Sequence, residues 1–282
     1  MNSIQVDGTH VAYSDSGTGE PVLLIHCSSA SGTEWRSLTE FLGKGFRTIA
    51  PDQLGCGKSE PWVGSAAFRL ADEAEPILAL LDAIAEPVHL VGHSYGGGVA
   101  LRVARARPEA IRSLTLVEPS IFHVLRRSGP DEQVLFRQIA RVAATVREAV
   151  VTGDYWGGMG RFVDYWSGEG AWERLPHEAR IKLSQRLTKV VLDFRALFEE
   201  PARVEDYAAV DVPTLILCGE HSPGPSQRIV EMLAEVMPRA RIERIAGAGH
   251  MSPLTHPEPV NAAIGGHLSV NATTPAWQAQ AA

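Results

Sequence analysis

The chain has 282 residues, 45% of them hydrophobic, and a formal net charge of -7. That length fits one domain, alone or with an inserted subdomain, and the acidic balance leaves no basic footprint for nucleic acid. No apolar run reaches the roughly 18 residues that a membrane helix needs, and Met1 to Val6 hold neither a basic stretch nor an apolar signal core, so the expectation is a cytoplasmic protein with no membrane partner.

In chain order, residues 3–6 and 11–13 alternate weakly around Asp7-Gly8 and predict a short hairpin. After the Gly17-Thr18-Gly19 loop, residues 21–26 form a continuous apolar run ending at His26, the pattern of a strand covered on both faces. Thr33 is placed to cap a helix carrying Trp35, Leu38, Phe41 and Leu42. Residues 46–50 predict the next strand. The glycine-punctuated loop 53–59 lacks the spacing of a phosphate cradle. Residues 65–84 carry Ala71, Ile77, Leu78, Leu81 and Ile84 at helical spacing, with Pro76 expected to kink them.

The most informative stretch is Pro87-Val88-His89-Leu90-Val91-Gly92-His93-Ser94-Tyr95-Gly96-Gly97-Gly98. An apolar strand ends at Gly92, one serine follows between glycines, and a helical pattern runs on to Arg107. Such a strand–turn–helix strains its middle residue and needs neighbours without bulk. It lifts the Ser94 hydroxyl clear of the sheet edge, and the Tyr95 N–H, opening the new helix, faces any oxyanion formed there.

Residues 111–117 predict a further strand, ending at Glu118-Pro119. From 120 to 207 the strand rhythm stops, and an aromatic cluster that includes Tyr155, Trp156, Phe162, Tyr165, Trp166 and Trp172 marks an inserted helical cap. Each aromatic by itself reads as cap core; together, over the serine, they would make an apolar pocket. Strands return at 213–219 and 241–245, with a helix at 227–237 between them. A Gly247-Ala248-Gly249-His250 loop, a closing helix at 257–268 and a frayed tail over 271–282 complete the chain. The α/β core thus divides into 1–119 and 208–270. Alternating strands and helices predict a parallel sheet, whose ligands sit at the carboxyl ends of its strands. Cys27, Cys56 and Cys218 are too widely spaced for a metal cluster and read as buried thiols.

Gly92-His93-Ser94-Tyr95-Gly96-Gly97, the strand-terminal His26, the Asp52-x-x-Gly55-x-Gly57-x-Ser59 loop and Gly247-x-Gly249-His250 before a final helix resemble the α/β-hydrolase fold family along essentially the whole chain. The resemblance implies an α/β fold with a mostly parallel eight-stranded sheet and helices on both faces. It also implies a nucleophilic serine, a histidine base after the last strand and an acid that orients it, in the order Ser, acid, His. Ser94 is the implied nucleophile and His250 the base; of the ten histidines, only His250 sits in the G-x-G-H setting. His93 reads as structural.

The acid departs from the family pattern. Gly219-Glu220-His221-Ser222 places a serine where an aspartate is usual. Three readings follow: the acid has moved to Glu118, where some members carry it; Glu220 takes the role; or activity is lost. A carboxylate just beyond an apolar strand is costly unless paired, which favours Glu118. The oxyanion hole is assigned to the backbone N–H groups of Ser28 and Tyr95, with Cys27 standing where the family usually has glycine. The function implied is a serine hydrolase acting on a small-molecule ester or related acyl compound through an acyl-enzyme, with no metal or organic cofactor. A same-triad lyase, a perhydrolase, a C–C hydrolase and a non-catalytic ligand-binding homologue are the alternatives. Substrate identity stays open, as does the choice between monomer and homodimer.

Overall fold

The apolar runs of the sequence become the central strands of one sheet in the computed structural model, which describes residues 2–64 and 67–273. The strands are β1 (Asn2–Val6), β2 (Thr9–Gly17), β3 (Glu20–Ile25), β4 (Phe46–Pro51), β5 (Val88–His93), β6 (Ile111–Val117), β7 (Thr214–Gly219) and β8 (Ala240–Ile245). Their spatial order is β1-β2-β4-β3-β5-β6-β7-β8. β1 and β2 pair antiparallel, as do β2 and β4; every other pairing is parallel. Asp7 and Gly8, both at positive φ, make the turn of the first hairpin.

Side-chain alternation splits the core in two. On β3, Val22 and Leu24 face one layer while Leu23 and Ile25 face the other. The first layer is closed by α1 (Arg36–Leu42) and, near the end of the chain, by the helix Pro257–Val270. The second is closed by α2 (Leu70–Ile84), α3 (Tyr95–Ala106) and the helix Gly224–Val236. Each fully buried Val, Leu or Ile contributes roughly 1.5–3 kcal/mol, so both faces of the central strands are strongly held.

Between β6 and β7 the chain forms α4 (His123–Arg126), α5 (Pro130–Thr152), α6 (Tyr155–Ser167), α7 (Ala171–Arg174), α8 (His177–Ser184) and α9 (Leu187–Glu199). Their apolar side chains, among them Leu125, Met159 and Phe194, join the buried cluster on the second sheet face rather than forming a core of their own. After β7 come α10 (Gly224–Val236), α11 (Ser252–Thr255) and α12 (Pro257–Val270). Among the described residues no helix is long and apolar enough to cross a membrane.

The local differences from expectation have local causes. Thr33 caps no helix: it lies inside a 3-10 turn, Gly32–Trp35, and α1 starts after it. The helix expected from residue 65 begins at Leu70, where the Asp72 carboxylate accepts the Arg69 N–H at 2.6 Å, and it runs through Pro76. Ser65 and most of the expected tail lie outside the described residues.

Candidate active site

β5 ends at His93 and α3 begins at Tyr95, so Ser94 alone reverses the chain. Its φ of 54° and ψ of -116° are strained for a side-chain-bearing residue. Hydrogen bonds hold the strain. The Ser94 N–H donates to the Val117 carbonyl at 2.9 Å, and the Ser94 carbonyl accepts from the N–H groups of Gly97, Gly98 and Ser120 at 2.9–3.1 Å. A methyl group on Gly92 would strike the Gly96 carbonyl, and one on Gly96 would strike those of Ile25 and His26. Glycine is therefore required at both positions.

The serine hydroxyl lies 2.8 Å from His250 Nε2, and His250 Nδ1 lies 2.6 Å from Glu118 Oε2. Three sequence-predicted residues, from the ends of β5 and β6 and from the loop after β8, thus meet in one hydrogen-bonded line. Glu118 is fully buried, at a positive φ of 45°. Its other oxygen accepts the Gly219 N–H at 2.7 Å and the Ser222 hydroxyl. Ser222, the serine at the end of Gly219-Glu220-His221-Ser222, is thus a donor to the carboxylate that faces His250. Glu220 is not brought to His250; it is exposed and accepts the Gly247 N–H at 2.9 Å.

Charge states follow from these contacts. Burial pushes the Glu118 carboxyl up, but the His250 ring, the Ser222 hydroxyl and the Gly219 N–H outweigh it and hold the group below its ordinary range. Burial pulls His250 below its ordinary value, and Glu118 opposes this only in part. At neutral pH the pair is a carboxylate and a neutral imidazole, with Nδ1–H donating to Glu118 and the Nε2 lone pair open to the serine proton. The Trp166 ring lies over the imidazole, 4.1 Å between centroids, and fixes its plane.

Ser28 and Tyr95 line the same small cavity as Ser94. Tyr95 opens α3, so its N–H has no helical carbonyl to bond. Their side chains are anchored on a buried charge cluster that the sequence did not disclose. Ser28 Oγ donates to Asp193 Oδ2 at 2.5 Å, and Tyr95 OH donates to Glu73 Oε2 at 3.1 Å. Lys189 Nζ bonds both carboxylates, Glu73 at 2.8 Å and Asp193 one helical turn along α9. From the residue just before α9, Arg186 donates to the carbonyls of Ser29 and Ala30 at 2.5 and 3.1 Å. Ser29 is itself held at a φ of 59°. The only signal in the sequence was a Lys-x-x-x-Asp pair among Val190, Val191 and Phe194, an apolar setting for two charges.

Cys27 is buried, and burial raises its thiol well above the ordinary range, so it stays protonated. Its N–H donates to Glu34 Oε2 at 2.8 Å, and Glu34 Oε1 lies 2.5 Å from His93 Nδ1. Cys27, Glu34 and His93 bring S, O and N donors within 4.8 Å of one another. Each carboxylate oxygen already holds a hydrogen and the thiol keeps its own, so the set is chemically a hydrogen-bonded pair and not a metal centre. All three cysteines are free and buried.

A cavity of about 710 Å³ opens over the site, bounded by His250, Trp166, Phe162, Leu183, Met251 and Leu254 among others. It lies in the size range of small-molecule sites.

A family model described as "Alpha/beta hydrolase family" matches residues 22–263. The chain is 24% identical over 277 residues to the cis-3-alkyl-4-alkyloxetan-2-one decarboxylase of Shewanella oneidensis, covering 86% of this chain and 80% of that protein. It is 30% identical over 273 residues to the dihydrolipoyllysine-residue acetyltransferase component of an acetoin cleaving system from Cupriavidus necator, covering 93% of this chain and 67% of that protein. A solved thermophilic esterase from Thermogutta terrifontis superposes with a TM-score of 0.72 at 27% identity, covering 96% and 97% of the two chains.

Proposed function

Because this chain belongs to the alpha/beta hydrolase family, we propose that it is a serine hydrolase cleaving a carboxylic ester or related acyl compound. The observation that carries the reading is the line Ser94–His250–Glu118, with separations of 2.8 and 2.6 Å. Ser94 attacks the carbonyl carbon as its proton passes to His250 Nε2. The carbonyl electron pair moves onto oxygen, where the N–H groups of Ser28 and Tyr95 receive it. Collapse breaks the C–O bond, and His250 returns the proton to the leaving alcohol. Water, deprotonated by the same imidazole, then releases the acid. Glu118 stays ionised throughout and stabilises the imidazolium.

In this reading the helices between β6 and β7 act as a cap over Ser94, with Trp166 and Phe162 as its contribution to the wall. The similarity to an esterase across nearly the full chain supports an ester substrate. The carboxylate behind His250 weighs against a binding protein without turnover. A fluorophosphonate probe tests the proposal. Covalent labelling at Ser94, lost in His250→Ala, is the expected result, and an unlabelled wild-type protein would defeat it. Cyanohydrin, peracid and C–C cleavage assays, run beside a chromogenic ester, separate the lyase, perhydrolase and C–C hydrolase alternatives.

A further inference from the structure

Space around Ser94 is divided unequally. One cavity, of about 20 Å³, is bounded by Ser28, Ser94, Phe122, Val190, Phe194 and Leu197 among others. That is little more than the roughly 10–15 Å³ that one ordered water requires. The cavity of about 710 Å³ shares Ser28, Ser94, Phe162 and Trp166 with it, and of the two only this larger one is bordered by His250.

The chemistry of the triad says which part of an ester belongs where. The leaving oxygen must take its proton from His250 Nε2, so it has to sit on the imidazole side. The acyl chain, which needs no contact with His250, is assigned to the small cavity against Phe122, Val190 and Leu197, leaving the Ser28 and Tyr95 N–H groups to the carbonyl oxygen. We propose that the site selects esters of short acyl groups with large, predominantly apolar alcohols; this rests on the serine-hydrolase reading above and adds the substrate class to it.

The small cavity is not easily enlarged. Phe122 stacks on Trp166 at 6.2 Å and packs against Phe194 at 6.5 Å, and Phe162 meets Phe194 edge-on at 6.1 Å. Opening it for a long chain would separate rings that pack on one another and on the sheet core, and close-packed interiors resist such shifts. The large cavity presents aliphatic side chains to the alcohol, Leu175, Leu183 and Leu254 among them. In the reaction the Ser94 Oγ–acyl bond forms, the acyl–O(alkyl) bond breaks, and the serine proton leaves on the alcohol.

Two ester series test this. With 4-nitrophenyl esters, kcat/KM is expected to fall at least about 100-fold from acetyl to octanoyl, since each methylene that a pocket refuses costs roughly tenfold or more. With alkyl acetates it should rise from ethyl to octyl. Leu197→Ala and, separately, Val190→Ala should shift the acyl optimum toward butanoyl and hexanoyl while leaving the alcohol series in place. Equal or rising rates from acetyl to octanoyl in the wild type, or an unmoved acyl optimum in both folded variants, would overturn the assignment of sides. No turnover and no fluorophosphonate labelling would defeat the hydrolase reading itself. Labelling of Ser94 without turnover of any ester would overturn the ester substrate class.

Discussion

Two buried carboxylate–histidine pairs stand side by side at the carboxyl edge of the sheet, with ring centroids 5.3 Å apart. Glu118–His250 and Glu34–His93 have the same ingredients and similar separations, 2.6 and 2.5 Å. Burial pulls both rings down; in His93 the Glu34 carboxylate overcomes it and the ring is raised, whereas in His250 the lowering prevails. The partner of the second nitrogen gives a geometric reason. His93 Nε2 faces the His250 backbone carbonyl at 3.0 Å, an acceptor only, so both ring nitrogens must donate and the imidazolium is favoured. His250 Nε2 faces a hydroxyl, which can donate to a neutral ring. In the proposed mechanism one pair supplies the base, while the other is an ionic strut under the His250 backbone. Both histidines have a carboxylate beside them, and what differs is whether the far nitrogen keeps a lone pair for a hydroxyl.

The same substitution in the two pairs should therefore give different phenotypes. Glu118→Gln is expected to lower kcat by about 10³–10⁴-fold with the fold intact. The acid limb of its kcat/KM profile, already below pH 6.5 in the wild type because burial lowers His250, should move lower still once the carboxylate that raises it is gone. Near-wild-type turnover would place the acid elsewhere.

A third set of buried charges extends the contrast to Ser28 and Tyr95. Lys189→Met leaves Glu73 and Asp193 facing each other without a cation. A loss of roughly 3–5 kcal/mol in chemical denaturation is expected, and in the fraction that folds kcat should fall more than KM rises, because Ser28 and Tyr95 lose their anchor. Lys189→Arg should recover part of the turnover. A pure stability loss with unchanged kcat would reduce the cluster to packing.

Glu34→Gln should cost about 2 kcal/mol of stability and less than about tenfold in rate. The sign of its pH dependence follows from both shifts. His93 is raised, so its contribution is complete below about pH 6.5 and is lost as pH climbs through the folded value. Glu34 is lowered, so its contribution is present above about pH 4.5 and is lost as pH falls through its folded value. The gap in melting temperature between wild type and variant should be widest between those limits. A gap that keeps growing above pH 8 would contradict the charged-pair assignment. Ser222→Ala should have the smallest effect, about tenfold or less in kcat, since Glu118 keeps the Gly219 N–H.

Much of this was legible in the residues. The apolar runs at 21–26, 88–91, 111–117 and 213–219 specified strands buried on both faces, because no polar face had to be kept for water. The Gly92-x-Ser94-x-Gly96 spacing specified the elbow, because side chains at either glycine would strike backbone. Thr33 and the stretch from residue 65 misled for the opposite reason: helix starts turn on single hydrogen bonds, and several nearby residues offer equivalent ones. Glu34 and Glu73 gave no readable signal, since an acidic side chain in a helical stretch ordinarily faces solvent, and Asp193 gave only its spacing from Lys189.

The sequence by itself determined the order of strands and helices, the serine at the bend and the histidine after the last strand, because backbone sterics and hydrophobic periodicity act over a few neighbouring residues. Only the tertiary structure decided which carboxylate stands behind His250, that Ser222 supports it, and how the space around Ser94 is divided. The two contacts to Glu118 join residues 104 and 132 positions apart, and such contacts exist only after the chain has packed.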